Sequence, residues 1–152
     1  MGSFFDWVIG DGVAKYNGRL AVGKNSLQGL QVTTIAVAGN KTLVAADIVG
    51  GMLIYDPTGG AASLTFPTAV LLVAELGDAA IKGAMFEFRL RHTGATTAED
   101  ITFVAGVGNT LSPATLVVAG DEMMTFMVRL DDVSAGNEAV TYYGTGLHLL
   151  TT

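Results

Sequence analysis

Ala84-Met85-Phe86-Glu87-Phe88-Arg89-Leu90-Arg91-His92 alternates apolar and polar side chains. Phe86, Phe88 and Leu90 point one way, and Glu87, Arg89 and Arg91 the other. A period of two is the mark of a strand with one dry and one wet face. The pattern returns at Ile101 to Ala105, at Thr125 to Leu130 and at Ala139 to Tyr143. Turn-forming clusters separate these runs: Thr93-Gly94-Ala95-Thr96, Gly106-Val107-Gly108-Asn109, Ala119-Gly120-Asp121 and Ser134-Ala135-Gly136-Asn137. Short strands at this spacing predict an all-β fold, an antiparallel β-sandwich or barrel-like domain.

Working outward, the chain has 152 residues, enough for one domain with a core that needs no covalent staples. It has no cysteine, which excludes disulfides and thiolate metal sites. Charged residues are only 14% of the chain, against about 25% in an ordinary soluble domain. Half the residues are hydrophobic. So few charges predict that copies of the chain or a partner cover much of its surface. A membrane span is not expected, because the longest strongly apolar run, Ala69 to Ala74, is far short of the ~20 residues needed. Net charge is −6, with +1 on residues 1–30 and −7 on the remainder. An acidic body argues against direct nucleic-acid binding. The N-terminus has no basic lead into its apolar residues, so no secretory signal is expected.

Residues 1–30 differ from the body. Phe4, Phe5, Trp7, Val8 and Ile9 precede glycines at 10, 12, 18, 23 and 29, poor material for a helix or long strand. They predict an extended N-terminal arm or irregular lead-in, with residues 31–152 as a single β domain. The arm either lies on a partner or caps the domain's own core. Gln31 to Val37 predicts the first strand of the body, and Gly51 to Tyr55 another, closed by the turn Asp56-Pro57-Thr58-Gly59-Gly60. Leu43 to Val49 fits a strand or one helical turn. One short buried helix is predicted over about 67–76, opened by Pro67 and stopped by Gly77. Its residues Val70, Leu71, Leu72 and Val73 are apolar all round, so it either plugs the core or sits at a subunit interface. Ser112-Pro113 predicts an edge strand or a break between two strands.

No catalytic constellation is evident, and no metal or cofactor site is expected. Gly18 to Lys24 approaches a phosphate-binding loop, but Asn25 stands where Ser or Thr would hold Mg²⁺. Gly106-Val107-Gly108 lacks a third glycine and is expected to be a hairpin turn. The pairs Glu99-Asp100, Asp121-Glu122 and Asp131-Asp132 are expected to be solvated turn charges, lacking the spaced series of a calcium loop. His92 and His148 are each expected to be one more side chain of a strand.

The segments Asp47-Ile48-Val49-Gly50-Gly51-Met52-Leu53, Pro67-Thr68-Ala69, Phe86-Glu87-Phe88, Ile101 to Ser112 and Gly136 to Tyr142 together resemble a class of small structural proteins of tailed bacteriophages. The resemblance covers about residues 45–145 and carries no catalytic signature. It implies a virion protein on the outer capsid surface, made in the host cytoplasm. That would be a decoration (cement) protein or head-fibre base, commonly a homotrimer, bound to the major capsid protein. The capsid-docking arm would then be Phe4, Phe5, Trp7, Lys15 and Arg19, and the oligomer interface or core helix Val70, Leu71, Leu72 and Val73. A receptor- or glycan-binding module of a fibre or tail is the alternative, with Trp7, Tyr55, Tyr142 and Tyr143 as stacking platforms.

Overall fold

The computed structural model describes residues 8–10, 13–16, 19–21, 31–35, 37–94 and 98–149. The chain divides into two units, Met1–Leu30 and Gln31–Thr152. In the first, β1 (Val8–Gly10), β2 (Val13–Tyr16) and β3 (Arg19–Ala21) pair in that order as an antiparallel sheet. A stretch expected to be extended or irregular thus carries three short strands.

The second unit contains β4 (Gln31–Ile35), β5 (Lys41–Thr42), α1 (Ala45–Val49), β6 (Gly51–Tyr55), β7 (Ala62–Thr65) and α2 (Ala69–Leu76). A 3₁₀ turn, Gly77–Ala79, follows. Then come β8 (Met85–His92), β9 (Ile101–Val104), β10 (Asn109–Ser112), β11 (Val117–Val118), β12 (Glu122–Asp132) and β13 (Ala139–Leu149). One sheet has the order β10-β13-β12-β8-β6-β4 and the other β11-β9-β7-β5.

The unit is strand-rich, but its sheets are mixed rather than antiparallel. From β4 to β12 each successive strand lies in the opposite sheet from the one before. Up to β9, neighbours within a sheet are therefore next-but-one in sequence, whereas β8 also pairs with β12 and β10 with β13. The chain crosses and returns between them, so β4/β6, β6/β8, β5/β7 and β7/β9 pair parallel. Among the four turn clusters Ser134 to Asn137 makes a hairpin, joining β12 to β13. Gly106-Val107-Gly108 instead turns a corner from one sheet to the other. A Cβ on Gly106 would collide with the carbonyl oxygen of Phe66, and one on Gly108 would lie 2.8 Å from Ala69 Cβ. These glycines let the corner lie against the start of α2. Ser112-Pro113, a cis peptide, separates β10 and β11, each an edge strand of a different sheet.

Alternation decides the core. Along β12, Met124, Phe126, Val128 and Leu130 are buried, as are Phe88 and Leu90 of β8. Both sheets feed one aromatic cluster. Phe66, just after β7, stacks on Tyr142 of β13 at 4.0 Å between ring centroids and on Phe103 of β9 at 5.3 Å. It meets Phe88 and Phe126 edge-on. A Cβ on Gly144 in β13 would collide with Leu116 Cδ2, so this buried leucine packs over the glycine.

Tyr142 is fully buried, and its hydroxyl has no hydrogen-bond partner among the described residues. Burial pushes this hydroxyl's pKa well up from its ordinary value of 10.0. The phenolate is therefore disfavoured in the fold. The resulting contribution to stability is complete below the ordinary value and is lost as pH climbs through and beyond it. Tyr142→Phe removes an unsatisfied polar atom without changing the ring. It is expected to stabilise the unit by about 1 kcal/mol in urea titrations and to weaken the alkaline loss of stability. A destabilised variant would show that the hydroxyl is satisfied in solution. At the β12–β13 hairpin, the Ser134 backbone N–H and hydroxyl, with Lys82, hold the Asp132 carboxyl well below the usual carboxylate range.

Candidate functional site

Two places in the second unit combine unusual chemistry with a defined position. The first is the end bearing the helices. Thr68 caps α2, its Oγ1 accepting from the Leu71 N–H at 3.3 Å. Pro67 lies just before this cap rather than inside the first turn. Gly77 stops the helix at φ 51°. The Asp47 carboxylate accepts the Val44 N–H at the start of α1, and α1 packs beside α2.

Helix α2 is not buried all round. Ala69 and Leu72 are buried and Val73 is half-buried, but Val70 and Leu71 are 53% and 57% exposed. Beside them Val107, whose carbonyl accepts the Ala69 N–H, is 81% exposed. Val44 and Val49 of the α1 segment are exposed as well. These five exposed aliphatic side chains belong to the α1 segment, α2 and the corner bonded to α2, and Asp47 and Glu75 are the only charges in the two helices. Helix α2 lies at the surface and turns one side, Ala69 and Leu72, to the core.

The second place lies where the ends of β6 and β8 meet the entry to β9. Tyr55 of β6 pairs with His92 of β8, and Asp56 follows Tyr55. Among Asp56, His92 and Glu99, each offers a ligand atom within 4.8 Å of the others. His92 is fully buried, and neither ring nitrogen has a hydrogen-bond partner among the described residues. Each carboxylate is steered by a backbone amide. Thr58 N–H donates to Asp56 Oδ1 at 2.8 Å, and Gly59 N–H donates to Glu99 Oε1 at 2.7 Å. Glu99 is therefore half-buried and engaged, not a solvated turn charge. One signal in the sequence marks the place. His92 continues the Phe88, Leu90 face by the same period of two, so it must point into the core and needs polar partners there.

The other expected sites fare differently. Lys15 lies in β2, paired with Val8 and Leu20, and Arg19 lies in β3, paired with Tyr16. Phe4, Phe5 and Trp7 lie outside the described residues. Tyr55 and Tyr142 are fully buried and offer no face to a ligand. Tyr143 is partly covered and has the Arg129 guanidinium 5.4 Å from its ring centre. His148 is exposed near the end of β13, with no partner for catalysis among the described residues. No helix among the described residues is long and apolar enough to cross a membrane.

Comparison with family models, with curated proteins and with solved structures returned no match.

Proposed function

We propose that this chain is a non-enzymatic structural protein whose work is assembly, and that the two sheets of its second unit form a β-sandwich. Copies associate through the apolar end formed by Val44, Val49, Val70, Leu71 and Val107. The observation that carries this reading is the exposure of Val70, Leu71 and Val107, with Glu75 the one charged residue of α2. Contiguous apolar surface of this kind is a hallmark of protein–protein contact. The low overall charge points the same way.

The specific form of this proposal is a homotrimeric decoration protein on the outer surface of a phage capsid, bound to the major capsid protein. It rests on the resemblance of residues 45–145. The N-terminal segment with Phe4, Phe5, Trp7, Lys15 and Arg19 serves as the docking arm.

Light scattering tests the assembly step. The chain is 15.7 kDa, so a trimer has three times that mass. The double variant Val70→Asp, Leu71→Asp is expected to remain folded by circular dichroism and to fall to a single copy. A wild-type protein that is already a single copy at micromolar concentration overturns the reading. Co-sedimentation with capsids lacking the protein then tests the shell as partner.

A further inference from the structure

We propose that Asp56, His92 and Glu99 form a binding site for a divalent transition-metal ion of the zinc class, which ties the two sheets together. This inference is independent of the assembly proposal. His92 ends a strand of the six-stranded sheet, and Glu99 stands two residues before the first strand residue of β9 in the four-stranded one. Asp56 begins the connection between β6 and β7. One ion held by all three would clip the sheets at this end.

Three observations converge. The ligand atoms already lie within 4.8 Å of one another. Tetrahedral ligands of zinc sit about 3.4 Å apart, so small rotations of the two carboxylates close the set. His92 is completely buried with both ring nitrogens unpartnered among the described residues, and a buried imidazole in that condition is costly unless something binds it. Gly94 leaves the space. A Cβ there would collide with Glu99 Oε2 and lie 2.7 Å from His92 Nε2. The point between imidazole nitrogen and carboxylate oxygen is thus kept free by the absence of a side chain.

The donor set selects the ion. One imidazole with two carboxylates suits zinc and its neighbours, whereas calcium and magnesium prefer all-oxygen shells. The amide bonds from Thr58 and Gly59 play the orienting part that outer partners play around metal ligands. Three protein ligands leave a fourth position for water.

The test is titration of the chelator-stripped full chain with Zn²⁺, read by calorimetry and thermal melting. One ion per chain is expected. At a hundredfold excess over Kd it should raise the melting temperature by about 5–10 °C, and Ca²⁺ and Mg²⁺ should leave it unmoved. Glu99→Gln and Asp56→Asn keep the side-chain shape and an oxygen for the backbone amide. Each should fold and lose at least about tenfold in affinity. Gly94→Ala should lose the site by filling it. His148→Ala, which removes the other histidine, should bind as the parent does. His92 ring resonances in the NMR spectrum should shift on adding Zn²⁺. No binding, or binding that survives Glu99→Gln and Asp56→Asn, or binding lost in His148→Ala, overturns the proposal. The trio would then be an internal polar contact with no ion.

Discussion

Leu72→Asp is expected to unfold the body of the protein, while Val70→Asp two residues earlier leaves it folded. The two positions lie on one short helix, and both are aliphatic in a run that is aliphatic throughout. They differ in what they face. Leu72 is fully buried in the core, whereas Val70 is 53% exposed. A carboxylate at 72 has no cation to pair with in the apolar cluster that surrounds it. Removing a buried leucine costs about 2–5 kcal/mol by itself, and burying an unpaired acid adds several more. A domain of this size holds only about 5–15 kcal/mol in total. Chemical denaturation and circular dichroism check the pair. A cooperative, wild-type-like melt for Leu72→Asp would mean that α2 does not dock as described. At position 70 the loss should instead appear in the mass of the proposed assembly.

Phe66→Ala should cost about 3–5 kcal/mol, among the largest losses for any single truncation in the chain. Phe66 lies just outside β7, yet its ring touches four others: Phe88, Phe103, Phe126 and Tyr142. Those rings come from both sheets. Such pairs add about 0.5–1.5 kcal/mol each beyond the area they bury. The cavity left behind is walled by strands held in register by backbone hydrogen bonds, so it collapses poorly. Urea titration with an unchanged m-value would read the loss directly. A loss under 1 kcal/mol would show that the cluster repacks and that the sheets are not locked through this ring.

Much of the body was legible before any coordinates. The period of two in Phe86 to His92 and Thr125 to Leu130 placed strands β8 and β12 with the correct faces inward. Pro67 and Gly77 bracketed α2 to within two residues, and Leu43 to Val49 contained the helical turn α1. Topology was not legible in the same way. Gly106-Val107-Gly108-Asn109 has the composition of a hairpin loop, but it is a corner between sheets. Turn chemistry describes how sharply the backbone bends and says nothing about which strand lies beside the next. The proximity of Asp56, His92 and Glu99 was hidden for a related reason. The three residues are 36 and 7 positions apart in the chain, and they meet because β6 pairs with β8 while Glu99 lies against the backbone of Gly59 in the turn after β6.

The amino-acid sequence by itself determined where the long strands β8 and β12 form, which of their faces are dry, where α2 starts and stops, and that the chain is poor in charge. These are local properties, dictated by side-chain alternation, by φ restrictions at proline and glycine, and by composition. Only the tertiary structure decided that the sheets are mixed, that Val70 and Leu71 are left open to solvent, and that a buried histidine faces two carboxylates. The reason is physical. Strand pairing and burial depend on which distant segments satisfy each other's hydrogen bonds and fill each other's gaps, and that choice is made by the whole chain at once.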